Sequence, residues 1–276
     1  MKRKDGKRVK NLDMLYSIAP HIMDKRYDAL NAITVRIPYK PMHSYIRKKH
    51  QEGVDISHLC LMIAAFVRTI SQYKKLNYFI VNKKIYSRDE VWVGMVILRP
   101  GNEESTMTKV RFELTDTIYD VNRKMMQMIE ENRKEVGSNP TDKLMKVLLS
   151  VPGLLNVGVK VIKWADKHGM LPKAIINASP FHVTMTISNL ASIRTNHIYH
   201  HIYEFGTTSM LLTMGNSEYI PKKVGDEIIL ERMMPLGLVM DERIASGCYF
   251  AQAFRTLEKY LKNPELLEVP PETIDR

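Results

Sequence analysis

Leu238-Val239-Met240-Asp241-Glu242-Arg243-Ile244-Ala245-Ser246-Gly247 is the stretch on which the fold turns. The apolar run from Asp226 to Met240 has the composition of a long strand or strand pair, interrupted around Pro235, and it stops against three charged residues. From about Ser246 to Leu261 the period changes. Tyr249, Phe250, Ala253, Phe254 and Leu257 fall on one helical face, and Asn263-Pro264 ends the helix.

Upstream, Phe181, Val183, Met185 and Ile187 alternate with His182, Thr184, Thr186 and Ser188. Pleating gathers the second set on one face, which lines a polar cavity if the strand is internal. Ser209 to Met214 reads as the next strand and ends at Gly215. Earlier, Ala29 to Ile37 is a strand running into Pro38, and Ser57 is an N-cap before the helical spacing of Leu59, Met62, Ile63, Phe66, Val67 and Ile70. Val91 to Leu98 and Lys109 to Leu114 are strands. Thr117 to Glu135 is a helix with Ile118, Val121, Met125, Met128 and Ile129 as its stripe. The order of elements predicts an α/β (α+β) chain with one mixed sheet and no internal repeat.

Two stretches carry a resemblance. Thr186-Ile187-Ser188-Asn189-Leu190 is similar to the Thr-Ile-Ser-Asn-Leu-Gly segment of dihydrolipoyl acyltransferases, and 238–247 is similar to their Asp-His-Arg-x-x-Asp-Gly signature. Phe250, Tyr260, Leu261, Asn263-Pro264-Glu265 and Leu266 resemble the family's terminal helix and its Leu-x-x-Pro-Glu-Leu ending. Ser179-Pro180-Phe181 and His200-His201-Ile202-Tyr203-Glu204-Phe205-Gly206 resemble phrases of a stand-alone bacterial branch. The resemblance implies a chloramphenicol acetyltransferase-like two-layer fold: a mixed sheet with packed helices and a helical insertion. The expected division is a basic N-terminal arm over 1–11 and one acyltransferase-like domain over 12–276, with the insertion at about 138–172. Asn139-Pro140-Thr141 opens that insertion, Pro152-Gly153 hinges it, and it closes near Pro172. A lipoyl domain, its linkers and a peripheral-subunit-binding domain have no counterpart in this sequence.

The family mechanism implied is acyl transfer from a thioester. A histidine takes the proton of a thiol or hydroxyl, and a serine or threonine hydroxyl steadies the oxyanion. Ser188 matches the oxyanion position, and Asp241, Arg243 and Gly247 match the signature. Glu242 stands where the histidine belongs, and Ser246 replaces the second aspartate. Three readings stay open. Glu242 is itself the base, since an apolar channel can raise a carboxylate's pKa towards about 6–7. Alternatively, His200 or His201 supplies the imidazole from another loop, across a subunit boundary. In the third reading the site is dead and the trimeric scaffold binds an acyl-thioester or a partner protein.

His197, His200, His201 and Glu204 are spaced i, i+3, i+4, i+7, so one helical stretch would bring them to one face, as a metal site requires. The resemblance instead places them in a connection before a strand, and no metal is expected.

Composition sets the outer limits. The formal net charge is +11, and six basic residues against Asp5 alone occupy the first ten positions. That arm reads as solvated, and the rest of the chain is ordinary in charge, so nucleic acid is not an expected partner. No apolar run follows the basic start before Asp13, and Cys60 and Cys248 make no disulfide framework. Cytoplasmic location is expected. The most apolar region, Leu144 to Trp164, contains 13 uncharged residues between Lys146 and Lys160, short of the roughly 20 a spanning helix needs. No Gly-x-Gly-x-x-Gly or Walker loop occurs. Coenzyme A or acyl-CoA as substrate, a small-molecule acyl thioester as donor and a homotrimeric assembly are what the resemblance implies.

Overall fold

The computed structural model describes residues 2–98, 105–134, 150 and 154–275. Its strands are β1 (Gly6–Arg8), β2 (Leu30–Pro38), β3 (Tyr78–Val81), β4 (Lys84–Arg88), β5 (Val91–Leu98), β6 (Ser105–Phe112), β7 (Met185–Asn189), β8 (Met210–Met214), β9 (Glu218–Val224) and β10 (Glu227–Asp241). The α-helices are α1 (Met14–Ile22), α2 (Tyr39–Gln51), α3 (His58–Gln72), α4 (Ile118–Lys134), α5 (Leu154–Lys167), α6 (Lys173–Ala178) and α7 (Gly247–Lys262). The main sheet runs β2-β10-β8-β7-β5-β6, with β9 on the first half of β10, and a small sheet runs β1-β4-β3. β7 is parallel to β5 and β8, whereas the other pairs are antiparallel, so the sheet is mixed as expected.

Local signals account for the helices. Ser57 Oγ accepts from Cys60 N at 3.1 Å, and residues Cys60 to Ser71 of α3 are all buried. Ser246 caps α7 in the same way, accepting from Tyr249 N at 3.2 Å. Met185, Ile187, Met210, Leu212, Leu236 and Leu238 face α3 and α7 across one continuous apolar core. Burying these side chains is the main stabilising term, about 1.5–3 kcal/mol for each large one.

The opposite face is built differently. Register sets Ser188, Thr213, Gly237 and Thr34 side by side across β7, β8, β10 and β2. A strap over 195–203 crosses this face. Thr213 Oγ1 donates to Ile198 O at 2.6 Å and accepts from Ile198 N at 3.2 Å. Thr34 Oγ1 lies 2.9 Å from His197 Nε2 and 2.5 Å from Tyr199 Oη. Further down, Ile202 packs with Leu211, Val239 and Leu30. Gly237 is required beneath the strap, because a Cβ there would stand 2.4 Å from Ile198 O.

Several expectations need correction. The strand expected from Phe181 begins at Met185, because His182 turns away to Ser179 and Thr184 bonds Asn77 and Trp92 N. Pro235 does not interrupt β10. It falls where β9 stops and β8 begins as partner, a junction at which its missing N–H breaks no ladder. The N-terminal arm is not simply solvated. Gly6–Arg8 pairs with β4, and Arg3 is buried against Asp5 (2.8 Å) and Asp166 (2.7 Å). The expected opening and hinge of the insertion, at Asn139-Pro140-Thr141 and Pro152-Gly153, lie outside the described residues. Among the described residues, no helix is long and apolar enough to cross a membrane.

Candidate active site

The charged corner after β10 is braced from below. Asp241, fully buried, accepts from Arg243 Nε at Oδ1 (2.8 Å) and from Arg243 Nη2 at Oδ2 (2.7 Å), and Arg26 Nε lies 3.5 Å from Oδ2 as well. Arg243 Nη1 donates to Met23 O at 2.9 Å, and Arg26 donates to the carbonyls of Tyr203 and Gly206. Burial opposes the charge on both arginines. In Arg243 the hydrogen bonds it donates to Asp241, with the charge of that carboxylate, outweigh burial and raise the pKa, whereas in Arg26 burial wins and lowers it. The aspartate and arginine of the signature therefore work as an internal clamp.

Glu242 sits between these two residues and is half-buried. Its backbone N–H donates to Ala29 O at 2.9 Å, and Asn31 Nδ2 donates to Oε2. Among the described residues nothing hydrogen-bonds Oε1. One oxygen is oriented and the other is available to a proton.

Ser188 is half-buried on β7, in the polar row. Glu242 lies off that row, just past the end of β10 and five residues along the chain from Gly237. Strand geometry separates the two within one chain by about 17 Å along the strands and about 10 Å across them. One chain does not bring Ser188 and Glu242 together.

His200, half-buried, and His201, exposed, lie on the strap, stacked on each other with centroids 4.5 Å apart. His200 Nδ1 is 2.8 Å from His201 O. A carbonyl only accepts, so Nδ1 carries a proton, and in the neutral ring the lone pair falls to Nε2. The strap is not helical, so the spacing of His197, His200, His201 and Glu204 does not collect them. His197 goes to Thr34, and Glu204 accepts from Arg26 N at 2.7 Å. Among the described residues, no group of three or more metal-ligating side chains forms.

His182 belongs to another cluster. Its Nδ1 lies 2.7 Å from Ser179 Oγ and its Nε2 3.3 Å from Asp166. The three residue types suggest a nucleophilic triad, but Ser179 is 2% exposed and no substrate reaches its hydroxyl. Burial lowers the pKa of His182. The cluster ties α5 and the N-terminal segment to the sheet. Arg26, Asn31 and Thr34 are the site neighbours that sequence reasoning missed. They sit at and before β2, and no local pattern marks them.

Residues 181–269 match the family model described as 2-oxoacid dehydrogenases acyltransferase (catalytic domain). A probable dihydrolipoamide acetyltransferase from Listeria monocytogenes 4b F2365 superposes with a TM-score of 0.59 at 14% identity, covering 93% of this chain and 94% of that one. A chloramphenicol acetyltransferase superposes with a TM-score of 0.57 at 12% identity, covering 93% and 100%. The chain has the chloramphenicol acetyltransferase-like fold. The cubic core of a pyruvate dehydrogenase multienzyme complex shares that fold as well, with a TM-score of 0.60 at 14% identity over 94% and 93% of the two chains. No curated protein matches the chain. The resemblance drawn from 186–190 and 238–247 is borne out. The clamp of Arg26, Asp241 and Arg243 holds the turn that carries Glu242.

Proposed function

We propose that the protein is an acyltransferase acting on acyl-CoA thioesters, with Glu242 as general base and Ser188 of a neighbouring subunit as oxyanion donor. The observation that carries this reading is the intact clamp on Asp241, next to Glu242. Asp241 and Arg243 fix the turn, Asn31 holds one carboxylate oxygen, and the other is free. The match of residues 181–269 to an acyltransferase family supports acyl transfer in general.

The thioester supplies an activated carbonyl and a good leaving group. Glu242 Oε1 takes the proton of the acceptor thiol or hydroxyl and returns it to the departing thiolate. The Ser188 hydroxyl donates to the carbonyl oxygen as charge gathers there. Because the two residues lie far apart in one chain, the site is completed by assembly, and a homotrimer is the proposed form. The β9–β10 hairpin supports an intersubunit contact: Tyr219, Ile228 and Leu230 are each at least 66% exposed, an apolar surface that calls for a cover. The protein is proposed as a single cytoplasmic domain with an insertion at about 138–172.

His200 supports the competing assignment of the base, through its proton-bearing Nδ1 and free Nε2. Release of free coenzyme A from acetyl-CoA, with a small dithiol as acceptor, decides between them. Glu242→Gln is expected to lower turnover by about 10²–10⁴ and Ser188→Ala by about 10²–10³. Loss on His200→Ala with little effect of Glu242→Gln moves the base to the strap. No turnover by the wild type leaves the chain as a binding homolog.

A further inference from the structure

A cleft of about 500 Å³, not lined by Glu242, lies between α5, the loop after α1, the β3–β4 turn and residues 204–206. Its volume is that of a small-molecule site. Six cations line it: Lys25, Arg26, Lys83, Lys163, Lys167 and Arg243. The three carboxylates on its wall are already committed. Asp24 pairs with Lys83 at 2.6 Å, Asp166 with Arg3 at 2.7 Å, and Glu204 accepts from Arg26 N at 2.7 Å. Lys25, Lys163 and Lys167 are exposed and have no ion pair among the described residues.

We infer that this cleft binds a phosphate-bearing ligand. Three unpaired ammonium groups around a cleft focus positive potential into it, and buried arginines form its floor. A phosphate offers several anionic oxygens that lysines on different walls can share. Walls whose carboxylates are already paired, with cations in excess, repel cations and give an apolar ligand little to contact. The floor arginines are those that clamp Asp241, so the cleft abuts the proposed active corner from behind without including Glu242.

Two sources share this chemistry: a soluble phosphate compound and a phospholipid headgroup. α5 separates them experimentally. Its outer side carries Val157, Val161 and Trp164, all more than half exposed, alongside Lys160. A lipid headgroup in the cleft would set this side against the bilayer.

Binding is measured by calorimetry with inorganic pyrophosphate on the full chain, without reference to turnover. The wild type is expected to bind, more weakly as salt rises. The Lys25→Glu/Lys163→Glu/Lys167→Glu variant is expected to bind about tenfold more weakly or worse. If that variant fails to fold, Lys163→Gln/Lys167→Gln takes its place. Co-flotation with phosphatidylglycerol but not phosphatidylcholine vesicles, lost on Trp164→Ser, identifies the headgroup as the source. Pyrophosphate binding without flotation identifies a soluble compound. Absence of both in the wild type, or affinity unchanged by charge reversal, overturns the inference.

Discussion

Replacing Asp241 by alanine removes the carboxylate shared by Arg26 and Arg243. All three side chains are at most 4% exposed. The Arg243 guanidinium loses two hydrogen bonds of 2.8 and 2.7 Å, and Arg26 loses its 3.5 Å partner, so two guanidinium groups stay buried without the carboxylate they share, and their remaining hydrogen bonds go to backbone carbonyls. Breaking a buried ion pair from one side costs about 3–5 kcal/mol. For a chain of this size that lowers the melting temperature by roughly 10 °C. Thermal unfolding followed by circular dichroism, with urea unfolding for the free energy, measures it. Glu242→Gln, beside Asp241 in sequence but outside the clamp, is the control and should shift stability by no more than about 0.5 kcal/mol. A double-mutant cycle with Arg243→Met should show strong coupling. A shift below about 2 °C for Asp241→Ala would refute the clamp. The carbonyls of Met23, Tyr203 and Gly206 would then suffice for the arginines.

Arg3→Gln should destabilise the protein by roughly 3 kcal/mol near neutral pH, because it strands Asp5 and Asp166. Burial opposes ionisation of both carboxyls. Arg3 outweighs that at Asp5, and His182 together with Arg3 outweighs it at Asp166, so both carboxyls are held below their usual value of 3.8. The unfolded chain therefore binds more protons in this window. The stabilisation is complete above about pH 4 and is lost as pH falls through the lowered folded values, so wild type and variant should converge in acid melts. Gly206→Ala should lower expression and melting temperature, since φ is +89° and a Cβ would stand 2.2 Å from Phe181 O. Ser246→Ala should cost about 1 kcal/mol through the lost cap of α7, while Ser246→Asp keeps the cap and should be close to neutral in urea melts.

The sequence made legible what is local. Ser57 announces α3 because a cap needs only the next three residues, and the α7 stripe follows from helical spacing alone. What depends on distant partners was hidden. Arg3 is buried by Asp166, 163 residues away, so its neighbours suggested only a basic arm. Pro235 looked like a break because its tolerance depends on a change of partner strand. Alternation continued through His182 although Ser179 and Asp166 draw that residue off the strand. The four-residue spacing of the strap had helical period, but its hydrogen bonds go to Thr213 and Thr34 instead. For the proposed site, the motif pointed to Glu242 and Ser188. The hold of Asn31 on Glu242, and the distance between the two site residues, required the sheet.

Complementation tests the shared site most directly. Ser188→Ala and Glu242→Gln chains are each purified, confirmed inactive, then unfolded together and reassembled before coenzyme A release is measured. If Glu242 of one subunit works with Ser188 of its neighbour, random co-assembly in equal amounts restores about one quarter of wild-type turnover. No recovery from reassembled, correctly sized oligomers, with active wild type treated in parallel, would contradict a site built from Glu242 and Ser188 of different subunits.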